Sequence, residues 1–108
     1  MDRADYLASK REELVGLANS MLSGGINLIE GVRKVCALSV AIGDSENDVF
    51  APMVAIESET DHYPLGEVRA RCAEDYLRRM DAEMASYLME AGPDIMDACR
   101  DIIRTYSC

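Results

Sequence analysis

The chain has 108 residues, with 20 Asp and Glu, 11 Lys and Arg and a single His, for a formal net charge of −9. That length supports one compact unit rather than two domains, and 49% apolar with 29% charged residues is the composition of a globular domain, not of an acidic disordered tail. A body this negative is repelled by phosphates and anionic lipid, which sets aside nucleic-acid and membrane-surface partners.

The first 23 residues predict an amphipathic helix over positions 4–23. Leu7, Leu14, Leu17, Ala18, Met21 and Leu22 recur at helical spacing with Lys10, Arg11, Glu12 and Glu13 between them. Gly24 and Gly25 end it. Asn27 followed by Glu30 reads as a capping box for a second helix. Leu28, Val32, Val35, Cys36, Ser39 and Ile42 share its inner face, and the nearly all-apolar run to Ile42 marks it as the central, most buried element. A strand is the alternative here, because Val and Ile favour pleated surfaces. The pattern starts before those residues and is long for a strand, which favours helix.

Residues 43–48 are turn formers. Val49, Phe50, Met53 and Val54 then predict a short helix capped by Asp48, with Pro52 tolerated in its first turn. A strand over residues 53–57 competes with it. Residues 62–66, with Pro64 and Gly66, form the next break. Residues 73–91 carry the stripe Tyr76, Leu77, Met80, Met84, Tyr87, Leu88 and Ala91. Gly92-Pro93 reads as a stop followed by a start, so a last helix with Ile95, Cys99, Ile102, Ile103 and Tyr106 is expected as a separate element. With no Trp and one Phe, the core falls to Leu, Ile, Val and seven Met. The expected fold is all-α: one domain over residues 1–108, a compact bundle of four to five helices.

The cysteines, at 36, 72, 99 and 108, form no C-x-x-C pair, which excludes zinc ribbons and thioredoxin-type redox pairs on pattern. Asp2, Asp5, Glu12 and Glu13 crowd the first 20 residues, so no signal peptide is read. The longest nearly apolar run, residues 35–43, is too short to span a bilayer. Reduced thiols in a cytoplasmic protein are expected.

Charge is uneven along the chain. Residues 35–68 contain seven acids, no Lys or Arg, and the only His, so −7 of the −9 lies there. The densest part is residues 57–66. Glu59 and His62 have the Glu-x-x-His spacing that places two ligands on one helical face, and Glu30 could add a carboxylate. One His per chain would require a homodimer for a full metal site, and Pro64 and Gly66 suggest that the helix is already ending. No metal or other cofactor is therefore assigned, and Glu30, Glu59 and His62 stand only as candidate ligands. An EF-hand starting at Asp44 fails, because Val49 stands where Gly is needed and Ala55 where a bidentate Glu is needed.

The plainer reading of Glu57, Ser58, Glu59, Thr60, Asp61 and His62 is structural. Such side chains cap helix ends and hold turns. Glu59 or Asp61 could pair with Arg33, Arg69 or Arg71 and pin the loop on the second helix. A His among carboxylates would favour an imidazolium–carboxylate contact. A Cys–His nucleophile is disfavoured, because the cysteines other than Cys108 lie in apolar stripes or near a helix start. No P-loop, G-x-G-x-x-G, G-x-S-x-G or H-E-x-x-H is present.

Ser58-Glu59-Thr60-Asp61-His62 with Pro64, Gly66, Val68 and Arg69 resembles a motif of an uncharacterised family of small bacterial proteins, as do Leu22-Ser23-Gly24 and residues 30–34. The resemblance spans about the middle half of the chain and implies a bacterial domain without an assigned activity. The leading expectation is a small acidic interaction or regulatory protein, inhibitor- or immunity-like and without catalysis, whose acidic segment faces a basic protein partner. The alternatives are a metal-binding protein or enzyme using Glu59 and His62, and a structural homodimer joined through its Met-rich faces.

Overall fold

The computed structural model describes residues 2–107. Four α-helices make up the fold: α1 (Arg3–Leu22), α2 (Leu28–Ala41), α3 (Ala51–Thr60) and α4 (Glu74–Tyr106). Short 3-10 turns at Asp48–Phe50 and Gly66–Arg71 complete it, with no strand among the described residues. The all-α bundle expected from periodicity is what the chain forms.

Each boundary has a local cause. Asp2 caps α1 by accepting from the Asp5 amide at 2.9 Å. Gly24, with φ of +80°, supplies the left-handed exit. The Asn27 side chain accepts from the amides of Ile29 and Glu30, at 2.9 and 3.1 Å. Only this half of the capping box forms, because the Glu30 carboxylate turns to Lys34 Nζ at 3.4 Å. The region left between helix and strand is helical. Asn47, not Asp48, caps it through the Val49 amide at 3.0 Å, and Pro52 sits in the first turn of α3.

The core explains the arrangement. α2 lies between α1 and α3, with α4 in contact with all three. Half of its 14 residues are buried, among them Val32 and Val35 at 0% exposure. Its outer face is nevertheless open, with Val40 69% exposed. Leu14 and Met21 of α1, Phe50 beside α3, Met53 of α3, and Ile95, Cys99 and Ile102 of α4 complete the main core. A smaller cluster joins Ile29, Tyr63 and Met84, with Met80 against it. Met80 and Met84 are thus packed within the chain, and among the described residues Met89, at 84% exposure, is the methionine that projects outward.

The expected break at Gly92-Pro93 does not occur, and α4 runs through it for 33 residues, about 50 Å at 1.5 Å per residue. Proline removes the bond to the carbonyl four residues back, here Met89. Pro93 and Met89 are both exposed, so the interruption falls on the solvent side of the helix. The inward stripe Met84, Leu88, Ala91, Ile95, Ala98 and Ile102 stays in phase across the proline. A break would rotate half of these residues out of the core, and their burial outweighs the roughly 3 kcal/mol that proline costs in a helix interior.

Two glycines within helices show opposite constraints. Gly31 lets Met21 cross α2 closely, because a Cβ there would lie 2.6 Å from Met21 Sδ. Gly16 lies exposed in α1 with nothing within 4 Å of its Cβ position. Gly16→Ala is therefore expected to raise unfolding stability by about 0.5–1 kcal/mol. Gly31→Ala should lower it by about 1–2 kcal/mol through overpacking, less so in a Met21→Ala background. Urea unfolding of the wild type, Gly16→Ala, Gly31→Ala, Met21→Ala and the Gly31→Ala/Met21→Ala double variant checks both signs.

Candidate functional site

The densest part of the acidic segment, residues 57–66, begins on the last turns of α3. Thr60 ends the helix, fully buried, its hydroxyl donating back to the Ile56 carbonyl at 2.7 Å. A helix end leaves carbonyls without partners and carries partial negative charge. α3 has no basic residue in its last turn. The cation comes from α2: Arg33 Nη2 donates to the Thr60 and Tyr63 carbonyls, both at 2.8 Å. The Tyr63 amide closes the turn onto the Thr60 carbonyl at 3.1 Å.

This turn drives Tyr63, 6% exposed, and Pro64 into the protein, Tyr63 against Ile29 and Met84. Gly66 then turns the chain with φ of +66°. Arg69 donates to the Pro64 carbonyl at 3.1 Å and holds Asp81 of α4 with two bonds of 2.8 Å. That guanidinium holds the Asp81 carboxyl below the usual carboxylate range. The loop is pinned as expected, but by a different chemistry. Arg33 grips backbone carbonyls, and Arg69 pairs with an α4 acid instead of Glu59 or Asp61.

The remaining residues disperse. Glu59 accepts a 2.7 Å bond from the Tyr87 hydroxyl and ties α3 to α4. His62 is exposed and lies beside the Tyr63 ring, with centroids 4.2 Å apart, rather than on a carboxylate. Glu57, Ser58 and Asp61 surround a shallow depression beside Arg33 and Val54. Because α3 stops at Thr60, the helical face that would align Glu59 with His62 is not continued. Among the described residues, no group of three or more His, Cys, Asp or Glu is placed to hold a metal ion, and Glu30, Glu59 and His62 are not brought together in one.

The free thiols at Cys36, Cys72 and Cys99 differ in setting. Burial, followed by the Glu57 carboxylate, pushes the Cys36 thiol up to about 12, and burial pushes Cys99 up to about 11. Both are protonated and unreactive near neutral pH. Cys108 lies outside the described residues.

A larger feature escaped the sequence reading. α3 and α4 border an open groove of about 640 Å³. Its floor is apolar and small, with Ala55, Ile56, Ala91 and Ala98, and Glu59, Glu90, Asp94, Asp97 and Asp101 stand around it. Four of these acids belong to α4, at steps of four, three and four residues, a single helical face. Reading a helix break at Gly92-Pro93 split that stripe. Asp97 and Asp101 also pair along the helix with Arg100 and Arg104, exposed contacts of small energy.

The end of α4 is tied to the loop before α3. Tyr106 donates to Asp44, which also accepts from Asn47 at 3.2 Å, and its ring stacks on Phe50 with centroids 5.8 Å apart. The Tyr106 bond holds the Asp44 carboxyl low. No family model matches the chain, and neither a curated protein nor a solved structure does.

Arg33→Met is expected to cost about 2–3 kcal/mol in urea unfolding, because two carbonyls lose a charged donor, while Arg33→Lys recovers only part of it. Tyr87 is pushed up to about 12, chiefly by desolvation and then by its bond to Glu59. The folded chain thus holds this phenolic proton more tightly than the unfolded one. The resulting stability is complete below pH ~10 and is lost as the pH rises through about 12. Spectrophotometric titration should show this late ionisation, and Tyr87→Phe should remove it.

Proposed function

We propose that this chain is a small acidic interaction protein of the bacterial cytoplasm, inhibitor- or immunity-like and without catalysis, whose partner is a basic protein. The observation that carries the reading is how the cations are used. Among the described residues, none of the seven acids in residues 35–68 is in an ion pair. The two arginines nearest the segment are committed elsewhere, Arg33 to carbonyls and Arg69 to Asp81. The acids therefore keep their charge for a partner, and a fixed negative surface steers a positive one and speeds its association. The likeness of residues 58–69 to the small bacterial family belongs to the same proposal.

Glu57 and Asp61 test it, because neither holds the fold through an ion pair. The tagged chain is used for quantitative capture from bacterial cytosol at low and high salt, beside Glu57→Lys/Asp61→Lys with its folding verified by circular dichroism. A basic protein should be retained at low salt and lost at high salt, with recovery by the variant reduced about tenfold. Capture of the same protein by the variant at full yield, or capture insensitive to salt, overturns the reading.

A further inference from the structure

We propose that the groove between α3 and α4 is a further docking surface for the same partner, beyond Glu57 and Asp61, which do not line it, and that its occupant is a basic amphipathic α-helix of that partner; the inference rests on the basic-partner reading above.

Three observations select this occupant. The first is charge complementarity. Five carboxylates border the groove, and no Lys, Arg or His lines it. They are unevenly placed, with Glu90, Asp94, Asp97 and Asp101 along the α4 side and Glu59 at the α3 side. An occupant must therefore be cationic along its α4 flank.

The second is the floor. Ala55, Ala91 and Ala98 contribute only methyl groups to its lining beside Ile56, where larger side chains would fill the space. Small residues leave an apolar trough that accepts side chains from outside, so the face entering it must be apolar. An occupant with charge alone, such as an unstructured polylysine segment, would leave this floor wet.

The third is the backbone. Both walls are helices whose main-chain groups are bonded internally, and no sheet edge is present among the described residues. An extended segment would find no main-chain partners in the groove, whereas a helix satisfies its own. From Tyr87 to Asp101 the α4 wall runs about 21 Å, the length of about four helical turns. The acids face outward into solvent, so their charge costs the free protein little and is available at encounter. The in-helix pairs of Asp97 and Asp101 with Arg100 and Arg104 are exposed, and an incoming Lys or Arg can replace them.

The probe is a fluorescent synthetic peptide of about 18 Leu and Lys residues, with leucines at i, i+3, i+4 and i+7, compared with a scrambled peptide of the same composition. Binding is read by anisotropy and peptide helicity by circular dichroism. The ordered peptide should bind about tenfold tighter than the scrambled one and gain helicity on binding. Ala55→Trp, which fills the trough at an exposed position, and Glu90→Lys/Asp94→Lys, which reverses the rim, should each weaken binding about tenfold. Glu67→Lys/Glu74→Lys makes the same change in net charge outside the groove and should weaken it by less than about threefold. Equal binding of both peptides, indifference to Ala55→Trp, or equal loss in the two charge-reversed chains overturns the groove assignment. If the salt- and Glu57/Asp61-dependent capture persists in those cases, the basic-partner reading stands and only the groove and the helical occupant fail. If that capture fails as well, both readings fall.

Discussion

One guanidinium fixes the turn that follows α3. Arg33 projects from α2 and holds the Thr60 and Tyr63 carbonyls, the first ending α3 and the second belonging to the residue whose amide closes the turn after it. A lysine could not bridge the site as well, because its compact ammonium lacks the rigid fork of donors that a guanidinium directs at fixed angles. The contact also places a positive charge at the negative end of α3, which has no basic residue of its own there. The consequences follow along the chain: α3 stops at Thr60, Tyr63 and Pro64 turn inward, and Arg69 can reach both Pro64 and Asp81. The same contact spends the nearest cation on carbonyls, and Glu57, Glu59 and Asp61 are left without an ion pair.

The second constraint is the phase of α4. A proline normally costs enough to break a helix, yet here the core-facing residues on either side of Pro93 belong to one stripe. Placing the proline on the solvent face confines the lost bond to the side of the helix away from the core. Continuity matters for the surface as much as for the core. It lines up Glu90 with Asp94, Asp97 and Asp101 across the proline, so Glu90 joins the acidic rim only because the helix does not stop.

Much of this was legible in the sequence, and what was not has identifiable causes. The helices of the first half follow from Leu14, Ala18, Met21, Val32 and Val35 at helical spacing, residues that the structure buries. The turn at residues 60–66 is announced by Pro64 and Gly66. The partners of the arginines were not legible, because a backbone carbonyl leaves no mark in a sequence and a carboxylate does. Arg33 beside Glu59 and Asp61 therefore suggested an ion pair, where geometry makes a helix cap. At Gly92-Pro93 the local signals for a boundary were strong, and tertiary burial overrode them. Joining the two halves into one register exposes both the core stripe and the acidic one.

The charge surplus also changes meaning once it is placed in space. Counted along the chain, it belongs to residues 35–68, and the rest is nearly balanced. In the folded molecule the balance is itself local: Arg78, Arg100 and Arg104 each pair with an acid three residues earlier on their own helix. Such pairs do little for stability and leave the groove side of α4 negative. Carboxylates gathered around one trough repel each other, modestly while water screens them and more strongly as an apolar surface excludes that water. An uncharged helix docking there would intensify the repulsion, whereas a cationic one relieves it. Under the proposed docking, the groove would select by what it penalises as well as by what it attracts, through a few exposed acids on a small helical bundle.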